Sequence, residues 1–248
     1  MFETILSNQV TQESFKIAGQ LGRIDNLGFQ YPSCFDDMRD LNREAVVKIV
    51  QSSKYSYREK LLAIMFWGIF FEVVRKSGKL KFLDWINKEG AEAEIERRFS
   101  EIEKSSDPAD LFRRFDKSLK IPGLGYAYYT KIFFFVREAS KKSAYPILDK
   151  WLMMAFIAVH GSENQSMELY ERYLKKSDEN IFDGILRRKK SEAYKEYVAF
   201  MHSLASEHNL SVDQVETRLF GKDMRKDKTP TNPRFLYEQW ALDNGLIC

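Results

Sequence analysis

Hydrophobic residues recur at helical spacing over most of the chain and alternate at strand spacing almost nowhere. Ala45, Val46, Ile49 and Val50 share one face. The pattern continues from Tyr57 to Lys76, with Leu61, Leu62, Met65, Phe66 and Ile69 directed inward, and predicts one long helix in which Gly68 lets another helix approach closely. A short amphipathic piece follows over Leu80 to Lys88. In Ala91 to Lys104, Ile95, Phe99 and Ile102 form the inner face and Glu and Arg residues the outer one. Asp107 reads as an N-cap with Pro108 at the first helical position and Asp110 in the first turn, opening a helix expected to run to about Lys120. Met167 to Lys176 and Ser191 to His208 read as further helices. Ser211-Val212-Asp213-Gln214 is a capping box for a helix closed by Gly221, and a last short helix runs through Trp240. Residues 1–40, with Gly19, Gly22, Gly28 and Pro32, hold no sustained period and are expected to be irregular or to form short elements. Residues 222–233, KDMRKDKTPTNP, read as a mobile basic loop. The expected class is all-α, a single domain over 1–248 without internal repeats.

Composition narrows the function classes. A hydrophobic fraction of 44% with 14% aromatics can fill a sizeable core without staples. Two cysteines, Cys34 and Cys248, exclude a disulfide framework, a four-thiolate iron–sulfur site and a cysteine-rich zinc site. His160, His202 and His208 lack metal-ligand spacing, so neither metal nor cofactor is expected. The longest apolar stretch, Leu61 to Val74, is interrupted by Glu72 and falls short of the roughly 20 residues of a membrane span. No basic segment followed by an apolar one opens the chain, and the expectation is a cytoplasmic protein without membrane partners. A net charge of +3 permits nucleic-acid binding without requiring it.

The richest chemistry lies between Lys120 and Trp151, KIPGLGYAYYTKIFFFVREASKKSAYPILDKW: a Gly-x-Gly turn, a helix, a Pro-containing loop, then Asp149 ahead of Trp151, Leu152 and Met154. This order resembles the helix–hairpin–helix DNA glycosylase superfamily, closest to its 8-oxoguanine branch and to bacterial proteins of that fold. The resemblance covers about 32 residues closely and the surrounding helical pattern loosely. It implies two helical lobes with a cleft between them, with the hairpin and catalytic segment at 107–160. The N-terminal β domain of the eukaryotic enzymes is not expected, because residues 1–40 cannot supply it.

The resemblance also implies roles. Gly123, Leu124, Gly125 and Tyr126 would let backbone N–H groups meet a DNA phosphate at a helix N-terminus, where the helix dipole favours an anion. Asp149 would stabilise the oxocarbenium charge that develops at sugar C1′ as the N-glycosidic bond breaks, and orient or deprotonate the nucleophile. On residue type alone Asp149 is equally an N-cap, and both roles are compatible. Lys131 is the candidate Schiff-base nucleophile for strand cleavage, with Tyr128, Phe134 and Phe135 expected around it. Here the chain departs from the family pattern. The bifunctional enzymes carry that Lys two positions after the second hairpin Gly, where this chain has Ala127, whereas Lys131 stands six positions after Gly125 and 18 before Asp149. Lys131 is therefore either the nucleophile or a lysine that contacts phosphate or snorkels from an aromatic helix, in which case the reaction uses water.

A flipped base needs aromatic faces to replace its lost stacking, and Tyr126, Tyr128, Tyr129 and Phe135 are candidates. Lys141 and Lys142, Arg187 to Lys190, and Lys222 to Lys228 are candidates for phosphate contacts. The implied partner is double-stranded DNA carrying a modified base, bound by a monomer. The base could be an oxidised purine, as in repair, or a hypermodified phage base such as a glycosylated hydroxymethylcytosine, as in defence. Two other readings stay open: a helix–hairpin–helix DNA-binding module without catalysis, and a helical protein-interaction domain in which IPGLG is only a turn.

Overall fold

A computed structural model describes residues 5–6, 15–16, 40–68, 70, 75–159, 190–221, 229 and 232–243. The fold is helical. Among the described residues the strands are β1 (Phe15–Lys16) and β2 (Asp40–Leu41), an antiparallel pair with Phe15 opposite Leu41. Ten helices follow: α1 (Arg43–Gln51), α2 (Tyr57–Trp67), α3 (Lys76–Ile86), α4 (Ala91–Lys104), α5 (Pro108–Asp116), α6 (Tyr126–Ala139), α7 (Lys150–Val159), α8 (Lys190–Glu207), α9 (Val212–Phe220) and α10 (Pro233–Asp243). The helix expected over Met167 to Lys176 lies outside the described residues, as does most of the 222–233 loop, whose Pro233 starts α10. None of the described helices is long and apolar enough to cross a membrane.

Local signals set most boundaries. Asp107 caps α5 by accepting the Ala109 N–H at 2.9 Å, and Ser211 with Gln214 forms a complete capping box at α9. Ser56 and Glu59 form a second box at the start of α2, which the sequence reading passed over. The helix expected over Tyr57 to Lys76 is not continuous: α2 stops at Trp67 with Gly68 as its C-cap, and α3 begins at Lys76. The apolar run continues past this stop because Phe70 is itself core, packed edge-on against Phe82 and Tyr128. A hydrophobic run reports burial, and burial does not require an unbroken helix. Helix α5 ends at Asp116 instead of Lys120, where the Leu119 N–H reaches back to the Arg114 carbonyl at 2.7 Å and closes the last turn.

The chain divides into two compact units. One contains residues 12–106 and 113–145, the other 1–11, 107–112 and 146–248. In the first, α6 packs against α1, α2 and α4, and α3 packs against α4. Phe115 meets Phe133 edge-on at 4.8 Å and Tyr129 at 5.8 Å in its core. In the second, α7 packs against α8, α9 and α10 around Phe156, Tyr197, Val215, Leu219 and Tyr237. The buried Tyr237 hydroxyl donates to the Leu219 carbonyl at 2.9 Å, so its burial leaves no polar atom stranded.

Candidate active site

The approach to the hairpin is held by a buried arginine. Arg98 on α4 donates to the carbonyls of Leu119 at 3.1 Å and Lys120 at 3.4 Å and pairs with Glu94 at 3.0 Å, while its guanidinium lies over the Trp85 ring. A planar fork with several donors can collect such divergent carbonyls at once, which an ammonium cannot. At the turn, Gly123 has φ +80°, and a side-chain carbon there would overlap the carbonyl oxygen of Gly78 on α3. Leu124 is buried, and its carbonyl accepts the Tyr129 hydroxyl at 3.0 Å, tying the turn to the first turns of α6. Gly125 is different: it is the exposed N-cap of α6 in extended conformation, and apart from its chain neighbours no atom of a described residue lies within 4 Å of where its side chain would be. One glycine is demanded by packing, and the other leaves open space over a helix N-terminus, as an approaching anion requires.

Lys131 is half-buried on α6. Its Nζ donates to the Gly68 carbonyl at 3.4 Å and lies 5.0 Å from the ring centre of Tyr128 and 5.8 Å from that of Trp67. A side chain at Gly68 would sit 3.0 Å from the Lys131 Cδ, so the close approach expected at Gly68 is made by this lysine. Tyr128 is half-buried and rests edge-on against Phe70, and burial raises its phenol above the ordinary tyrosine range. Tyr129 and Phe135 are fully enclosed. Tyr129 packs on Phe115, while Phe135 meets Trp67 edge-on at 4.9 Å. Tyr126 is half-buried at the first position of α6. Phe134 lies under the Arg43 guanidinium at 4.8 Å.

The Pro loop is built by its backbone partners. In the first unit, Arg137 donates to the carbonyls of Ser143 at 2.6 Å and Ser105 at 2.7 Å and stacks over Tyr145 at 3.8 Å. In the second, the Tyr194 hydroxyl donates to the Pro146 carbonyl at 3.0 Å and the Tyr197 hydroxyl to the Ile147 carbonyl at 2.8 Å. The Ile147 N–H donates to Glu216, a fully buried carboxylate on α9, at 2.7 Å. Sequence reasoning missed all three clamps, for they come from 48 to 69 positions away along the chain.

Asp149 follows this clamped stretch. Its Oδ1 accepts the N–H groups of Trp151 at 2.9 Å and Leu152 at 3.0 Å, so it caps α7, while its Oδ2 takes no hydrogen bond from any described residue. The side chain is partly open to solvent. Next to it, Trp151 lies against the Arg234 guanidinium at 5.2 Å, and Arg234 donates to the Phe220 carbonyl at 2.8 Å.

Lys141 and Lys142 are exposed beyond the C-terminal end of α6, with Lys141 at φ 53°. The hairpin is at the N-terminal end. Across the 14 residues of α6 that separation is about 21 Å along the axis, so these lysines and the hairpin do not form one local cluster. Of the other basic candidates, Arg187 to Lys189 and Lys222 to Lys228 lie outside the described residues.

No curated protein and no solved structure matches the chain. A family model described as "Putative 8-oxoguanine DNA glycosylase OGG-like protein" matches residues 16–220, more than four fifths of the length and including the hairpin, Lys131, the Pro loop and Asp149. The chain belongs to this OGG-like DNA glycosylase family.

Proposed function

We propose that the protein is a single-domain, monomeric DNA glycosylase that takes a modified base out of the duplex and breaks its N-glycosidic bond, with Asp149 as the essential carboxylate. The observation carrying this reading is the division of labour within that carboxylate. Oδ1 is spent on two helix N–H groups, which fixes the side chain, and Oδ2, which takes no hydrogen bond from the described residues, serves the chemistry. Breaking the bond to C1′ develops positive charge on the sugar, and an anion held in place stabilises it without having to reorganise. The hairpin glycines and Tyr126 serve the phosphate, and Tyr128, only half-buried where Tyr129 and Phe135 are enclosed, is the aromatic that meets the flipped base.

Lys131 favours hydrolysis over Schiff-base chemistry. A carbonyl oxygen and two ring faces are partners for an ammonium, and this lysine is engaged by all three. The nucleophile at C1′ is then water. The substrate is either an oxidised purine, with a role in repair, or a bulky hypermodified base of phage DNA, with a role in defence. The deciding experiment is mass spectrometry of free bases released from oxidised, alkylated, deaminated and hypermodified phage DNA by wild type and Asp149→Asn. Asparagine keeps the capping oxygen, so loss of release in a folded variant supports the reading, and undiminished release would refute it.

A further inference from the structure

The hairpin does not stand alone on its surface. Because Gly123 has no side chain, the backbone of the turn lies directly on the first turns of α3, with the Gly78 carbonyl and the Phe82 N–H as its nearest neighbours. The two segments brought together in this way share an unusual charge pattern. Residues 75–83, RKSGKLKFL, and 117–128, KSLKIPGLGYAY, contain six cations and no carboxylate, the nearest flanking acids being Asp84 and Asp116. The whole chain carries a net charge of only +3, so the remainder of the molecule is on balance acidic.

These cations are available. Arg75, Lys76, Lys81, Lys117 and Lys120 are exposed and Lys79 is partly so, and none pairs with an acid among the described residues. Glu94, on the helix that α3 packs against, is already occupied by Arg98 and by the indole N–H of Trp85. Lys76, Lys79 and Lys81 lie within one helical turn, about 5.4 Å, of Gly78 along the α3 axis, with Lys79 and Lys81 to either side of the face that meets the hairpin. Leu80, with Leu242 one of the two large apolar side chains exposed among the described residues, stands among them.

We propose that the N-terminal half of α3 is a second phosphate-binding surface, continuous with the hairpin, and that Lys76, Lys79 and Lys81 grip the sugar–phosphate backbone of duplex DNA beside the phosphate taken by the hairpin. This rests on the reading of the hairpin as a DNA contact, and goes beyond it in placing a second set of contacts on a helix that precedes the hairpin in sequence. Contacts of this kind release counterions and carry no base specificity, so they set affinity and register and leave the choice of excised base unchanged.

The test is fluorescence anisotropy of a short, unmodified, labelled duplex over a salt series of roughly 50 to 200 mM, with the full-length protein. The proteins compared are wild type, K76A/K79A/K81A and the control K104A. Lys104 is exposed at the end of α4, beside Glu103, which bonds Ser140 at the far end of α6 from the hairpin. Replacing exposed helical lysines with alanine leaves the fold intact, checked by a thermal melt. The expected result is binding by wild type and K104A with the same salt slope, and a slope shallower by about 2 to 3 in the triple variant with affinity lowered roughly tenfold or more. A triple variant that binds with the wild-type slope and affinity overturns the proposal while leaving the hairpin reading in place. A wild type that does not bind the duplex at any salt overturns both.

Discussion

The buried carboxylate of Glu216 accepts the backbone N–H of Ile147 at 2.7 Å, two residues before Asp149. Tyr197 donates to the carbonyl of that same Ile147, so both backbone polar groups of one loop residue are satisfied by side chains in the core. Glu216→Leu removes an acceptor from a fully enclosed N–H and is expected to cost about 1–3 kcal/mol. Glu216→Gln keeps a carbonyl oxygen there and is expected to lose less. Urea denaturation of both variants checks the order, and Leu falling no further than Gln would mean that the contact does not hold the loop.

Asp149 separates its two tasks by substitution. Asp149→Ala loses the cap on α7 and is expected to destabilise by about 0.5–2 kcal/mol. Asp149→Asn keeps the cap, and its melting temperature should stay near that of wild type while base release disappears.

The hairpin glycines should respond in opposite ways. Gly123→Ala places a methyl group onto the Gly78 carbonyl at a backbone angle that disfavours it, and is expected to cost about 1–3 kcal/mol or more. Gly125→Ala meets no atom within 4 Å and has an ordinary angle, so stability changes by less than about 1 kcal/mol. Its methyl group stands where the anion would approach, so duplex affinity should fall in a protein that still melts normally. Equal melting temperatures for the two variants would contradict the packing argument.

Alkaline pH offers a test within the first unit. Burial pushes the Tyr129 phenol up to about 12 from an ordinary value of 10.0, with the charge of Asp116 adding to the shift. The folded state keeps its proton where the unfolded chain gives it up, so the contribution is fully present below pH 10.0 and is lost as pH rises from there through about 12. Denaturant unfolding between pH 8 and 12 should show stability declining above about pH 10, and Tyr129→Phe should flatten that decline. A decline of unchanged steepness in the variant would assign it to other groups.

Lys131 can be interrogated by trapping. If water is the nucleophile, borohydride added during turnover captures no covalent protein–DNA adduct, while base release proceeds. An adduct that vanishes in Lys131→Ala would establish Schiff-base chemistry and correct the hydrolytic reading.

What the sequence disclosed was local. The Asp107 and Ser211 caps could be read because donor and acceptor lie within three positions, and the order of hairpin, helix, Pro loop and Asp could be read because order is what a linear string preserves. The stop at Gly68 was hidden because Phe70 keeps the apolar pattern going beyond it. The clamps on the Pro loop were hidden for another reason. Tyr194 and Tyr197 look like any core aromatics on a helix, and Glu216, at an otherwise buried position, looks like a fault in the pattern until Ile147 is seen to donate to it. Arg98 reads as surface charge for the same reason, because it is held in the core by the main-chain carbonyls of Leu119 and Lys120, which have no letter in the sequence.

Main chain resting on main chain, as at Gly123 and Gly78, leaves no rotamer between the two segments to take up a change in either. A side-chain contact can be retuned by trading one residue for another of similar volume, whereas here the only adjustable quantity is the placement of α3 itself. Mutations that tilt this helix, even from its buried face at Phe82 or Ile86, would move the hairpin with it. The structural constraint on the turn therefore extends backward in the sequence to a helix that carries none of the motif's letters.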